Sequence, residues 1–163
     1  MATVVYRVGD DISTDVIYPG RYMATVLPTE TPQYAFADDA SFNAMLKAGH
    51  VSKGSVLVAG SNFGCGSSRE QAVSAIKGYE LVIVAKSVAR IFLQNAINLG
   101  LAVVICPTIE ANEGDELEVT PAEVVNRTSG RRFAVVALPK SRQEIIDAGG
   151  LIAYTRRRLT AGR

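Results

Sequence analysis

The densest chemistry in the chain lies in one run, Gly60-Ser-Asn-Phe-Gly-Cys-Gly-Ser-Ser-Arg-Glu70. Glycines let the backbone turn sharply and approach a ligand, and the free N–H groups at the start of a following helix favour negative charge at the same spot. Ser67 and Ser68 add hydroxyls there, Gly66 adds room, and Arg69 adds a guanidinium able to grip a carboxylate through two parallel hydrogen bonds. The run therefore suits a small carboxylate or phosphate. A plainer alternative stands beside this one: Ser67 as the N-cap of a helix, with Glu70 completing a capping box. Nucleotide binding fits worse. The run lacks the Gly-Lys-Ser/Thr ending of a P-loop, and the next strand ends at Lys86 where a dinucleotide fold needs an acid for the ribose.

Other reactive residues carry less. Cys65 has no histidine near it in sequence and reads as a packed thiol, Cys106 sits in an apolar strand, and His50 falls in a Gly-His surface turn. Lys86 and Arg90 lie in a buried-looking segment, where Arg90 is expected to pair with an acid rather than to serve the site.

The elements that must position the run read as alternating strands and helices. Thr3–Val8 alternates and is β-branched, so it is a first strand stopping at Gly9. Prolines at 19, 28 and 32 make residues 16–33 a long irregular segment, and 35–48 reads as a helix with Phe36, Phe42, Met45 and Leu46 in one buried stripe. Strands follow at 55–59, 81–85 and 101–106, separated by helices at 67–76 and 87–99, the second placing Val88, Ile91, Phe92, Ala96 and Leu99 on one face and closed by Gly100. Parallel neighbours need a crossover long enough to hold a helix, so this spacing implies an α/β fold with a mainly parallel central sheet. Residues 115–119, 123–126 and 131–138 then read as additional antiparallel strands, 139–148 as a short helix, and the basic tail Arg156–Arg158 as frayed.

Composition narrows the function. The chain of 163 residues, 48% hydrophobic, has enough apolar content for one domain spanning residues 1–163, with no repeat or linker to divide it. Seventeen basic against 16 acidic residues leave a net charge of +1, without the basic excess that nucleic-acid binding needs. Charges at Arg7, Asp10 and Asp11 precede any secretory core, and no apolar run is long enough for a membrane span. A cytoplasmic protein without nucleic-acid or membrane partners is expected. Two cysteines and one histidine are too few to hold a zinc ion or an iron–sulfur cluster alone, so any metal must be shared with another chain.

Three motifs in order carry a family likeness: Gly9-Asp-Asp-Ile-Ser-Thr-Asp15 with Pro19-Gly-Arg-Tyr22, then Phe63–Glu70, then Ala85-Lys-Ser-Val-Ala-Arg-Ile-Phe92 with Asn95 and Asn98-Leu-Gly100. Together they resemble the small subunits of 3-isopropylmalate dehydratase, which correspond to the swivelling β/β/α domain of aconitase. The resemblance runs from about Gly9 to Pro107. It implies a hydro-lyase that moves a hydroxyl between adjacent carbons of a malate-type acid through an unsaturated intermediate, in leucine biosynthesis. It also implies a partner large subunit that holds a [4Fe–4S] cluster acting as Lewis acid on the small di- or tricarboxylic acid substrate. By the same likeness, Ser67 is the catalytic base as an alkoxide, Arg69 binds a substrate carboxylate, Ser68 and Gly66 flank that group, and Asp15 lines the cleft.

One departure stands out. Relatives that act on isopropylmalate commonly continue the Pro-Gly-Arg/Lys-Tyr motif with Leu-Arg-Thr, whereas here Tyr22 is followed by Met23-Ala24-Thr25. These three residues are read as a specificity loop. An apolar Met23-Ala24 wall suits an alkyl group and cannot bind a third carboxylate, which counts against a homoaconitase and leaves dimethylmalate or citraconate-type acids open. The reading from a different class is a non-catalytic module that uses the same helix start only to hold an anion.

Overall fold

The structure, a computed structural model, describes residues 1–162. Four parallel strands come first: β1 (Ala2–Arg7), β2 (Val56–Ala59), β3 (Val82–Ala85) and β4 (Val103–Ile105). They are joined through the helices α1 (Thr14–Ile17), α2 (Ala40–Lys47), α3 (Glu70–Lys77) and α4 (Arg90–Leu99). Antiparallel strands β5 (Glu116–Val119), β6 (Glu123–Asn126) and β7 (Arg132–Ala134) extend the same sheet past β1, giving the order β4-β3-β2-β1-β5-β6-β7. Helices α5 (Lys140–Asp147) and α6 (Leu151–Ala161) complete the described chain.

The pleat divides the core in two. Side chains alternate across a strand, so Leu57 and Ala59 of β2 face the helices and pack with Phe42, Leu46, Val73, Ile76 and Phe92. Val56 and Val58 face the other way and pack with Leu117, Val124 and Phe133 of the antiparallel half. The sheet must curl for one half to cover the other, and it does. Val136 N donates to the Ile105 carbonyl at 2.8 Å, joining the chain two residues past β7 to β4 at the opposite edge. A strand buried on both faces has no polar side to write into its sequence, which is why β2 and β3 read as continuous apolar runs.

Several element boundaries shift from the sequence expectation, each for a local reason. Helix α2 starts at Ala40 rather than at 35 because Phe36 takes a left-handed φ of 50° and the Asp39 carboxylate caps the helix by accepting from Phe42 N at 3.1 Å. Phe36 is buried all the same, but Met45 is exposed. On α4 the buried face uses Ile97 while Ile91 points to solvent, and Gly100 ends the helix at φ 76° as expected. The basic tail is not frayed: Arg156–Arg158 lie within α6, which packs against α4 and α5.

Candidate active site

The glycine-rich run leaves the end of β2 and is clamped between two neighbours. On one side the loop after β1 pairs with it: Asp11 N donates to Ser61 O at 2.9 Å, Gly64 N to Ile12 O at 2.7 Å and Thr14 N to Cys65 O at 2.8 Å. On the other side Phe63 N donates to Ser87 O at 3.1 Å and accepts at its carbonyl from Ala89 N at 2.9 Å. The site thus lies beyond the carboxyl ends of β1, β2 and β3, where open α/β sheets bind ligands. Phe63 is buried and meets Phe92 edge-on at 5.2 Å. Gly64 sits over the same ring with φ 81°, and a Cβ there would lie 2.3 Å from Phe92 Cγ, so no larger residue fits.

Past this anchor the chain turns outward. Gly66, at φ 97°, presents Ser67 and Ser68 to solvent, and helix α3 begins only at Glu70. The capping-box alternative is thereby overturned: Arg69 occupies the N-cap, no side chain caps the helix, and the Ser67 hydroxyl points elsewhere. It lies 3.2 Å from the Thr14 hydroxyl, which also lies 3.0 Å from the Ser67 carbonyl.

Arg69 is held from the other wall. Its Nη1 donates to Asp15 Oδ1 at 2.6 Å and to the Tyr18 carbonyl at 3.2 Å, leaving Nη2 and Nε without a protein partner among the described residues. Asp15 Oδ1 also accepts from Gly20 N at 2.9 Å. The Arg69 hydrogen bond, followed by that of Gly20, holds the Asp15 carboxyl below the usual carboxylate range. Asp15 therefore positions the guanidinium through one edge and leaves the other edge for a ligand.

Ser67, Ser68 and Arg69 line a cavity of about 310 Å³ together with Met23 and Gln71. Of the expected specificity loop only Met23 lines it. Ala24 is exposed outside, and Thr25 is bonded into the turn, its N–H donating to Tyr22 O at 3.0 Å and its carbonyl accepting from the Tyr18 hydroxyl at 3.3 Å. Thr14, the Tyr18 carbonyl and Gln71 were not singled out from the sequence. Thr14 stands inside the quoted Gly9–Asp15 motif, and Gln71 directly follows the Ser-Arg-Glu run, so position was the available signal.

A larger cleft, about 460 Å³, opens between the ends of β1 and β2 and residues 109–115. Its acids are already satisfied within the protein: Glu110 pairs with Arg131, Asp10 accepts from Ser61 N, and Asp115 accepts from Asn112 N and Asn126. The smaller cavity, with a guanidinium edge free and the hydroxyls of Ser67 and Ser68 both exposed, is the better chemical site.

The remaining candidates separate. Cys65 is half-buried within the run, while Cys106 is fully buried with its thiol against the Ala134 carbonyl of β7, and burial pushes its thiol pKa up. His50 is exposed past α2. Lys86 and Arg90 are also exposed and make no ion pair among the described residues, so the expected pairing of Arg90 with an acid is not formed. Among those residues no three His, Cys, Asp or Glu gather into a group able to hold a metal ion, and no helix is long and apolar enough to cross a membrane.

The profile of the aconitase C-terminal domain matches residues 16–107. A 3-isopropylmalate dehydratase small subunit from Thermodesulfovibrio yellowstonii is 42% identical over 96% of this chain and 94% of its own length. The small subunit of the same name from Methanosarcina mazei is 44% identical over 93% of this chain and 94% of that one. This chain belongs to the family of 3-isopropylmalate dehydratase small subunits. A crystal structure of 3-isopropylmalate dehydratase from Methanocaldococcus jannaschii superposes with a TM-score of 0.88 at 40% identity, covering 98% of this chain and 95% of that one. The family's swivel-type fold, expected from the three motifs, is the fold described above. A further relative from the same organism, 40% identical over 95% of this chain and 93% of its own, is named isopropylmalate/citramalate isomerase small subunit.

Proposed function

We propose that this chain is the small subunit of a two-chain hydro-lyase that interconverts 2-isopropylmalate and 3-isopropylmalate in leucine biosynthesis, by removing and re-adding water. The observation that carries the reading is the free edge of Arg69 sharing a small cavity with the Ser67 hydroxyl. Arg69 grips a substrate carboxylate through Nη2 and Nε. That brings the carbon beside the carboxylate to Ser67, whose Oγ, as an alkoxide, takes the proton from this carbon while the hydroxyl leaves the neighbouring one as hydroxide, toward the Lewis acid that the large subunit would supply. On rehydration Ser67 returns the proton. A free serine hydroxyl is far too weak an acid for this near neutral pH, so the nearby positive charge of Arg69, a hydrogen bond from Thr14 and closure against water must stabilise the alkoxide. The Thr14 hydroxyl at 3.2 Å holds Oγ in place.

The residues of this chain do not fit a [4Fe–4S] cluster. Cys65 and Cys106 belong to different parts of the fold, and no ligand group forms among the described residues. In this reading the large subunit holds the cluster and closes over the Ser67 face, with the described residues moving as one swivelling unit in the cytoplasm. Among the described residues Arg69 is the one cation lining the cavity, which suits an acid with a small alkyl side group better than a tricarboxylate. The relative named for both isopropylmalate and citramalate keeps a second reading in view, a subunit that serves several 2-alkylmalates.

The test is reconstitution with a large subunit. Ser67→Ala should lower kcat by about 10²–10⁴-fold with substrate binding almost unchanged, since the proton moves only on the way to the transition state. Near-normal turnover would place the chemistry elsewhere and leave this chain an anion-binding module.

A further inference from the structure

Met23 reaches the cavity because the turn that carries it is tied down at several points. Gly20 is bonded to Asp15, the Tyr18 hydroxyl reaches the Tyr22 carbonyl at 3.1 Å, and the Tyr22 ring stacks on Tyr34 at 4.0 Å. These ties hold the turn to its own neighbourhood in the chain. One more crosses to the reactive segment: Gln71, in the first turn of α3, donates from Nε2 to the Met23 carbonyl at 3.3 Å. The same side chain lines the cavity, and its Oε1 has no protein partner among the described residues.

We infer that Gln71 is a positioning residue for specificity, latching the Met23 turn onto α3 and so setting the room available to the substrate's side group. This deepens the alkylmalate reading and rests on it. The amide suits the task chemically. It donates to a carbonyl while staying neutral beside a dianionic substrate, whereas a glutamate of the same shape has no proton to donate and repels both the carbonyl and the substrate carboxylate. The latch acts on the side-group wall, and the reacting centre keeps its own supports in Thr14 and Asp15. Beyond the latch the side chains of Ala24, Val26 and Leu27 are exposed and add no packing to the turn.

Two measurements on Gln71→Ala and Gln71→Glu test this. Amide hydrogen exchange on the full chain should show residues 22–25 opening at least about 10-fold faster in both variants, with exchange in β2 and β3 unchanged. In the enzyme reconstituted with a large subunit, the ratio of kcat/KM for isopropylmalate to that for citramalate should change about 10-fold, mostly through KM. Protection at 22–25 equal to wild type overturns the latch. Faster exchange with an unchanged substrate ratio overturns its role in specificity. A wild-type assembly inactive on every alkylmalate overturns the functional reading and the specificity role with it, while the exchange result still decides whether the latch exists.

Discussion

One buried hydroxyl, that of Thr14, holds Ser67 at two atoms, lying 3.0 Å from its carbonyl and 3.2 Å from its Oγ. A carbonyl only accepts, so Thr14 donates to the Ser67 carbonyl while it accepts from the Ser67 hydroxyl, and its proton can turn to Oγ when Oγ carries none. Thr14→Val keeps the shape and removes both roles. In the reconstituted enzyme kcat should fall about 10–10²-fold with little change in KM, and Thr14→Ser should restore most of it. Equal activity for the valine and serine variants would show that the hydroxyl does nothing for Ser67.

Asp15 and Arg69 give a prediction about pH. A carboxyl whose pKa is depressed on folding stabilises the native state above its unfolded value of about 3.9, and that contribution is lost as pH falls through the folded value. The Asp15 carboxyl is depressed chiefly by Arg69. The Tm gap between wild type and Asp15→Asn should therefore be steady from about pH 8 to about pH 5 and should close below about pH 4. The side chain is 66% exposed, so the gap should be small and shrink with added salt. A gap that persists at about pH 2 would place its origin outside the ion pair.

Side-group selection should be separable from catalysis, because Met23 comes to the cavity from a different segment than Ser67 and Arg69. Replacing Met23-Ala24 by Leu-Arg should shift kcat/KM among isopropylmalate, dimethylmalate and citramalate by roughly 10–200-fold. Ala24 is exposed, so Tm should hardly move. An unchanged ranking would mean that the large subunit alone chooses the side group.

Two glycines of the run should respond differently to the same added methyl. At Gly64 the new Cβ would sit 2.3 Å from the Phe92 ring in a left-handed conformation, so Gly64→Ala should cost roughly 2–5 kcal/mol from clash and strain together. At Gly66 the nearest atom to a Cβ is 3.6 Å away, and only the backbone conformation is unfavourable, so Gly66→Ala should cost about 1–2 kcal/mol. Denaturant unfolding of the two variants measures both. Equal losses would contradict the packing of Phe92 against the run.

How much of this was legible in the sequence depends on how far apart the interacting residues lie. The alternation of strands with helices, the stop at Gly100 and the reactive run itself are local matters, written in the period of apolar residues and in glycines where the backbone needs them. The motifs also carried the family, with Ser67 and Arg69 lining the cavity and Asp15 bonded to Arg69 beside it. Tertiary structure decided the rest. Whether Ser67 caps a helix or faces Thr14, 53 positions away, depends on how the loop after β1 is laid against the run. Gln71 and Met23, 48 positions apart, meet for the same reason. A terminal run of basic residues suggested a frayed tail and helical periodicity a buried Ile91, but Arg156–Arg158 continue a helix that runs alongside α4 and α5, and the buried face of α4 is set by what lies beneath it. Backbone preference acts over a few residues, while burial and long-range hydrogen bonds form only once the sheet has brought distant segments to the same edge.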